Sequence, residues 1–123
     1  DDKKSILVEK IKTIIIEFVH YHDEQIKMNF SDYLSKKLDL NYTYLANLFS
    51  EVKGITVEQF YLAHKIERVK ELLVYDELNL TEIAFKLHYS SVSHLSNQFK
   101  KMTGLTPSYF KLIKNKRRGI WFF

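Results

Sequence analysis

The chain has 123 residues, 46% of them hydrophobic and 28% charged, which suits one small core or two very small ones. It has no cysteine, so a disulfide framework, a thiolate nucleophile and a thiolate metal site are excluded, as a reducing compartment would favour. The net charge of +4 is uneven: residues 1–60 carry 8 Lys against 10 acidic residues, and residues 61–123 carry 11 Lys and Arg against 5.

Taken in chain order, the start "DDKK" has no apolar core behind it and is no signal peptide, and no later apolar run approaches a membrane span. A chain opening on Asp1 rather than Met reads as part of a longer protein. Ile11, Ile14, Ile15, Phe18 and Val19 recur at three- and four-residue spacing, predicting an amphipathic helix from about Lys4 to Tyr21 whose role is core packing. Ser31 is expected to cap a second helix through Leu38. Asn41 or Thr43 should start a third, which runs to Lys53 and stops at Gly54.

Thr56 then caps a long helix, Val57 to Tyr75, with Phe60, His64, Val69, Leu72 and Leu73 along one stripe, and this helix should connect two halves. Thr81 and Glu82 open a fifth helix to about His88. Ser91 or Val92 starts a sixth that ends before Gly104, and Thr106-Pro107 starts a seventh, with Pro at the favoured first position. No strand pattern is present, so the expected fold class is all-α with seven helices. The expected organisation is an amino-terminal helix and connector (1–25), two helical units (26–56 and 79–116) joined by the linker helix (57–78), and a basic, aromatic tail (117–123).

The two units repeat. At an offset of 50, Leu45 matches Leu95, Asn47 matches Asn97, Phe49 matches Phe99, Gly54 matches Gly104 and Thr56 matches Thr106. Upstream the offset becomes 49, aligning Leu34, Leu38 and Leu40 with Ile83, Leu87 and Tyr89, so the second copy's turn has gained a residue. Each copy is a short helix, a turn and a second helix whose Leu and Phe, four apart, face inward: a helix-turn-helix pattern. Left outward are Thr43, Ala46 and Asn47, and in the second copy Val92, Ser93, Ser96 and Asn97.

Small apolar, hydroxyl and amide side chains suit a DNA major groove, whose base edges offer donors, acceptors and thymine methyls. The bland reading is a solvated helix face, and for one copy it would suffice. Two copies joined by a rigid helix can place two reading helices about one DNA turn apart, roughly 34 Å. Basic residues and helix amino termini would hold phosphates, the candidates being Lys53, Thr56, Lys100, Lys101, Thr106, Lys114 and Arg117. From Lys100 to Arg118 there are seven basic residues and no acidic one, a composition that suits a polyanion.

With these residues in view, the chain resembles the DNA-binding domain of the AraC/XylS family of transcriptional regulators over about Ile26 to Lys116. The second copy carries the resemblance most closely, in Ile83-Ala84, Tyr89 and Ser90, His94-Leu95-Ser96, Phe99-Lys100, Gly104, Thr106-Pro107 and Tyr109-Phe110. "VKELL", Val69 to Leu73, resembles the family's linker helix. The resemblance implies reading by the third and sixth helices in successive major grooves of double-stranded DNA. It also implies a cytoplasmic, nucleoid-associated bacterial transcription factor without enzymatic activity or cofactor, RNA polymerase as a candidate partner, and an effector or sensor domain preceding this chain.

Two departures stand out. Asn47 and Asn97 occupy positions where the family often has Arg or Lys, and Asn favours adenine where Arg favours guanine. Ser50 replaces a usual basic residue, and from Asp39 to Glu58 one Lys faces three acids, so the first copy should grip phosphate less well. Catalytic and metal readings are thin: "HYH" at His20 to His22 points its two imidazoles to different faces, Asp23-Glu24 and Asp76-Glu77 fall at helix ends or loops, and the three Gly are scattered. The alternative function is a helical protein-interaction module that binds through the first helix and the apolar "IWFF" at Ile120 to Phe123.

Overall fold

Short polar side chains set the helix starts and left-handed backbone sets several of the ends, giving seven helices among the described residues. The computed structural model describes residues 2–21, 28–75 and 78–121, with side chains through residue 115. The helices are α1 (Asp2–His20), α2 (Phe30–Leu38), α3 (Tyr42–Lys53), α4 (Val57–Tyr75), α5 (Leu80–Lys86), α6 (Val92–Thr103) and α7 (Pro107–Trp121).

Two of the expected starts are displaced. Asn29, not Ser31, caps α2: its Oδ1 accepts the Asp32 N–H at 2.9 Å, and the Ser31 hydroxyl donates to the same oxygen at 3.0 Å. Asn79, not Thr81, caps α5, in a box where Asn79 accepts the Glu82 N–H at 2.8 Å and Glu82 accepts the Asn79 N–H at 3.0 Å. In each case a carboxamide two residues upstream outcompeted the hydroxyl. α5 stops at Lys86 rather than His88, because His88 takes φ 65 and cannot continue the helix. α7 runs on to Trp121, through the segment expected as a tail.

The chain divides into two compact units, residues 1–65 and 66–123, with the boundary inside α4. In the first unit α1 packs on α2 and α3. Val8, Ile11, Ile15, Leu34, Leu45, Leu48, Phe49 and Val57 form its buried cluster, so α1 does serve the core. Burial of such side chains contributes about 1.5–3 kcal/mol each. Beside them lies an aromatic group that period counting did not reveal: Phe30 stacks on Tyr61 at 4.3 Å between ring centroids, and Phe18 meets Tyr33 at 4.8 Å.

In the second unit α6 packs on α5 and α7, and Ile66, Val69, Leu72, Leu73, Ile83, Ala84, Leu87, Leu95 and Phe99 are buried. The repeat survives in the packing. Phe49 meets Phe60 edge-on at 5.5 Å, and fifty residues on Phe99 meets Phe110 edge-on at 5.5 Å.

Lys65 is an outlier in this scheme, since only 7% of it is exposed while its Nζ lies 5.1 Å from the centre of the Tyr61 ring. Burial pushes its ammonium down from 10.5 to about 8. The unfolded chain therefore binds more protons than the folded one between those values, and stability rises with pH through that window. Lys65→Met removes the penalty, so we expect the variant to be more stable than the parent at pH 7 by about 1–3 kcal/mol. Urea denaturation of both proteins at intervals from pH 7 to pH 10 should show the difference shrinking as pH rises; a constant gap would rule out the titration.

Candidate nucleic-acid interface

α3 and α6 are built alike. Asn41 Oδ1 accepts the Tyr44 N–H at 3.3 Å, and Ser91 Oγ accepts the His94 N–H at 3.0 Å, so each helix begins on a side-chain cap. Each ends on a left-handed glycine, Gly54 at φ 76 and Gly104 at φ 83, whose N–H donates to Ser50 O at 2.9 Å and Lys100 O at 2.8 Å. Between cap and glycine, Leu45 and Phe49, and Leu95 and Phe99, are wholly buried. That pair fixes the rotation of each helix about its axis.

The outward face follows. Thr43 and Asn47 on α3, and Ser93 and Asn97 on α6, are exposed. Ala46, Val92 and Ser96 are half-buried, and Ala46 packs against the core of its unit. Two further residues share these faces. Tyr44 is 50% exposed and His94 is exposed, each one helical turn before an exposed Asn. Their signal was the same three-residue spacing to Asn47 and Asn97, masked by a preference for short side chains.

The turns before the two helices share a left-handed residue, Asp39 at φ 52 and His88 at φ 65, at the 49-residue offset. Asp and His tolerate this region better than most residues. The next N–H closes the turn, Leu40 to Ser35 O at 3.3 Å and Tyr89 to Ala84 O at 2.9 Å. Asn41 then caps α3 at once, whereas Ser90 stands between Tyr89 and the cap Ser91. Ser90 is the residue gained, and it turns to His94: its N–H lies 3.4 Å and its Oγ 3.1 Å from His94 Nδ1.

Charge separates the copies. Lys100 and Lys101 are exposed in the last turn of α6, where α3 carries Ser50 and Glu51. Lys53, the basic residue of α3, sits 3.7 Å from the Glu9 carboxylate of α1. Thr56 and Thr106 both cap, accepting the N–H of Gln59 at 3.0 Å and of Tyr109 at 3.2 Å. Gln59 returns a bond to the Thr56 N–H at 2.9 Å, while Tyr109 has no carbonyl with which to do so. Lys114 places its Nζ 5.6 Å from the Phe110 ring centre, and the side chain of Arg117 lies outside the described residues.

Of the histidines, His20 Nε2 and His64 Nδ1 are 3.0 Å apart, tying the end of α1 to α4 within the first unit. Among the described residues no group of three His, Cys, Asp or Glu could hold a metal ion, and no helix is long and apolar enough to cross a membrane. His22, Asp23-Glu24, Asp76-Glu77 and Phe122-Phe123 lie outside the described residues, as do the side chains of Ile120 and Trp121.

Comparison with known proteins places this geometry in a family context. The helix-turn-helix domain profile matches residues 34–112. The chain is 25% identical over 103 residues to the HTH-type transcriptional regulator YtdP of Bacillus subtilis, covering 84% of this chain and 13% of that protein. It is 26% identical over 85 residues to the melibiose operon regulatory protein of Escherichia coli, covering 69% of this chain and 28% of that one. The DNA-binding domain of AdpA, a global transcriptional factor solved in complex with a target DNA, superposes with a TM-score of 0.72 at 15% identity over 91% of this chain and 96% of that one.

The caps that orient the two outward faces carry a direct expectation. Asn41→Ala and Ser91→Ala should each lower the stability of the chain by about 1 kcal/mol, because each leaves a first-turn N–H without its side-chain acceptor. Chemical denaturation of the two single variants checks this, and glycine at either position should recover most of the loss.

Proposed function

The chain belongs to the AraC-type helix-turn-helix family, and on that premise we propose that α3 and α6 read base edges in successive major grooves of one DNA duplex, regulating transcription. The family is one of transcription-factor DNA-binding domains, not enzymes. The observation that carries the reading is the matched pair of outward faces, each exposing hydroxyl and amide side chains, each held in place by a buried Leu and Phe. Thr43, Ala46 and Asn47, with Val92, Ser93, Ser96 and Asn97, are the proposed base-reading set. Lys53, Thr56, Lys100, Lys101, Thr106, Lys114 and Arg117 are the proposed phosphate contacts.

RNA polymerase is the partner proposed to receive the regulatory signal, and the resemblance assigns effector sensing to a domain outside these helices. The proposed place of action is the bacterial cytoplasm, at the nucleoid. Selection from random duplexes tests the reading. Enrichment of two half-sites about one helical turn apart, roughly 10.5 bp, is the expected outcome. No enrichment at moderate salt would replace it with a helical protein-interaction module.

Two variants resolve the division of labour. Lys100→Ala with Lys101→Ala should reduce the slope of log affinity against log salt by about two, since each phosphate contact releases close to one counterion. Lys53→Ala should change it by less than about one, its charge already lying near Glu9. Equal losses in the two titrations would mean that both copies grip alike. Asn97→Ala should erase preference at one or two base pairs, about 1–3 kcal/mol of discrimination. A uniform loss on every duplex would show that Asn97 reads no base.

A further inference from the structure

The residue gained in the second turn has a consequence for α6. Ser90 N–H points at His94 Nδ1 from 3.4 Å, and a main-chain N–H can only donate, so this contact favours a lone pair on Nδ1, to which the Ser90 hydroxyl at 3.1 Å can also donate. The neutral imidazole then carries its proton on Nε2. The ring is also held in orientation, since Tyr89, only 7% exposed, meets it edge-on at 5.1 Å and 85°. His94 itself is exposed and lies one helical turn before Asn97 and two before Lys101, on the outward face of α6.

We infer that His94 is a further specificity-determining residue, presenting Nε2–H as a hydrogen-bond donor to an acceptor on a base edge, with its tautomer set by Ser90. The inference rests on the DNA-binding reading above. In the major groove the available acceptors are guanine N7 and O6, adenine N7 and thymine O4, so a fixed donor excludes the cytosine amino group. The first copy holds Tyr44 at the matching position, and its turn lacks a counterpart of Ser90. The device is therefore confined to one of the two reading helices.

Two substitutions separate the nitrogens. In His94→Asn the side-chain amide reaches only as far as Nδ1, keeping an acceptor for Ser90 and losing the outward donor. In His94→Gln the amide nitrogen reaches the place of Nε2, keeping the donor and losing the anchor. On the duplex selected by the parent chain, His94→Ala and His94→Asn should weaken binding by about tenfold, and His94→Gln by no more than about threefold. The salt slope should be unchanged in all three, because a base contact releases no counterion.

Nitrogen-15 correlation spectra of the free chain should show the Nε2–H tautomer of His94. An Nδ1–H tautomer, parental affinity in His94→Asn, or a salt slope lowered by about one would each overturn the inference, the last by assigning His94 to a phosphate. Failure of the parent chain to select any duplex would instead overturn the DNA-binding reading. The two failures are distinguishable because the tautomer is measured without DNA.

Discussion

The burial of a leucine and a phenylalanine one helical turn apart, Leu45 with Phe49 and Leu95 with Phe99, is the constraint on which everything else in this chain depends. Successive residues on a helix are separated by about 100° around the axis, so a one-residue slip would carry Asn47 or Asn97 off the outward face. Burying both members of the pair penalises that slip by the transfer cost of two large apolar side chains, roughly 3–6 kcal/mol. The caps and left-handed glycines then fix where each helix begins and ends. Rotation and register together determine which side chains a partner can meet.

The same scaffold supports two chemically unequal surfaces. Repetition is strict where packing demands it: Leu45 and Leu95, Phe49 and Phe99, Gly54 and Gly104, Phe60 and Phe110 all match. It relaxes where solvent takes over, and there Ser50 and Glu51 stand opposite Lys100 and Lys101. Even the starts of the following helices diverge, since Gln59 occupies the Thr56 N–H and Tyr109 cannot do the same for Thr106. The differences all point one way, toward a second copy better supplied to hold an anion at its edges.

Much of this was legible in the sequence because the signals are local. Gly54 and Gly104 mark helix ends through backbone conformation alone, and the Leu-Phe spacing marks the buried face through the helical period. The starts of α2 and α5 were misplaced because Asn29 and Ser31, or Asn79 and Thr81, are both competent caps, and only the three-dimensional path decides between them. The contact of Glu9 with Lys53, the burial of Lys65 and the stacking of Phe30 on Tyr61 were invisible for a different reason. Each joins residues far apart in sequence or depends on how deeply a helix sinks into its unit. The left-handed residues Asp39 and His88 lie between: the 49-residue offset aligned them, and Asp and His tolerate a positive φ, but both also occur widely at negative φ, so residue type alone does not mark the turn.

On the proposed reading, inequality between the copies serves discrimination. Phosphate contacts raise affinity for every duplex alike, so equipping both copies with lysine would strengthen binding to wrong sites as much as to right ones. A carboxylate such as Glu51, carried by the copy that contributes register, adds like-charge repulsion when that helix meets a backbone without compensating base contacts. The strongly basic copy then supplies the encounter and the grip, and the weakly held copy commits only where its polar face finds partners. Because a buried Leu and Phe hold each reading face independently of its charge, the two properties can be tuned separately on one scaffold.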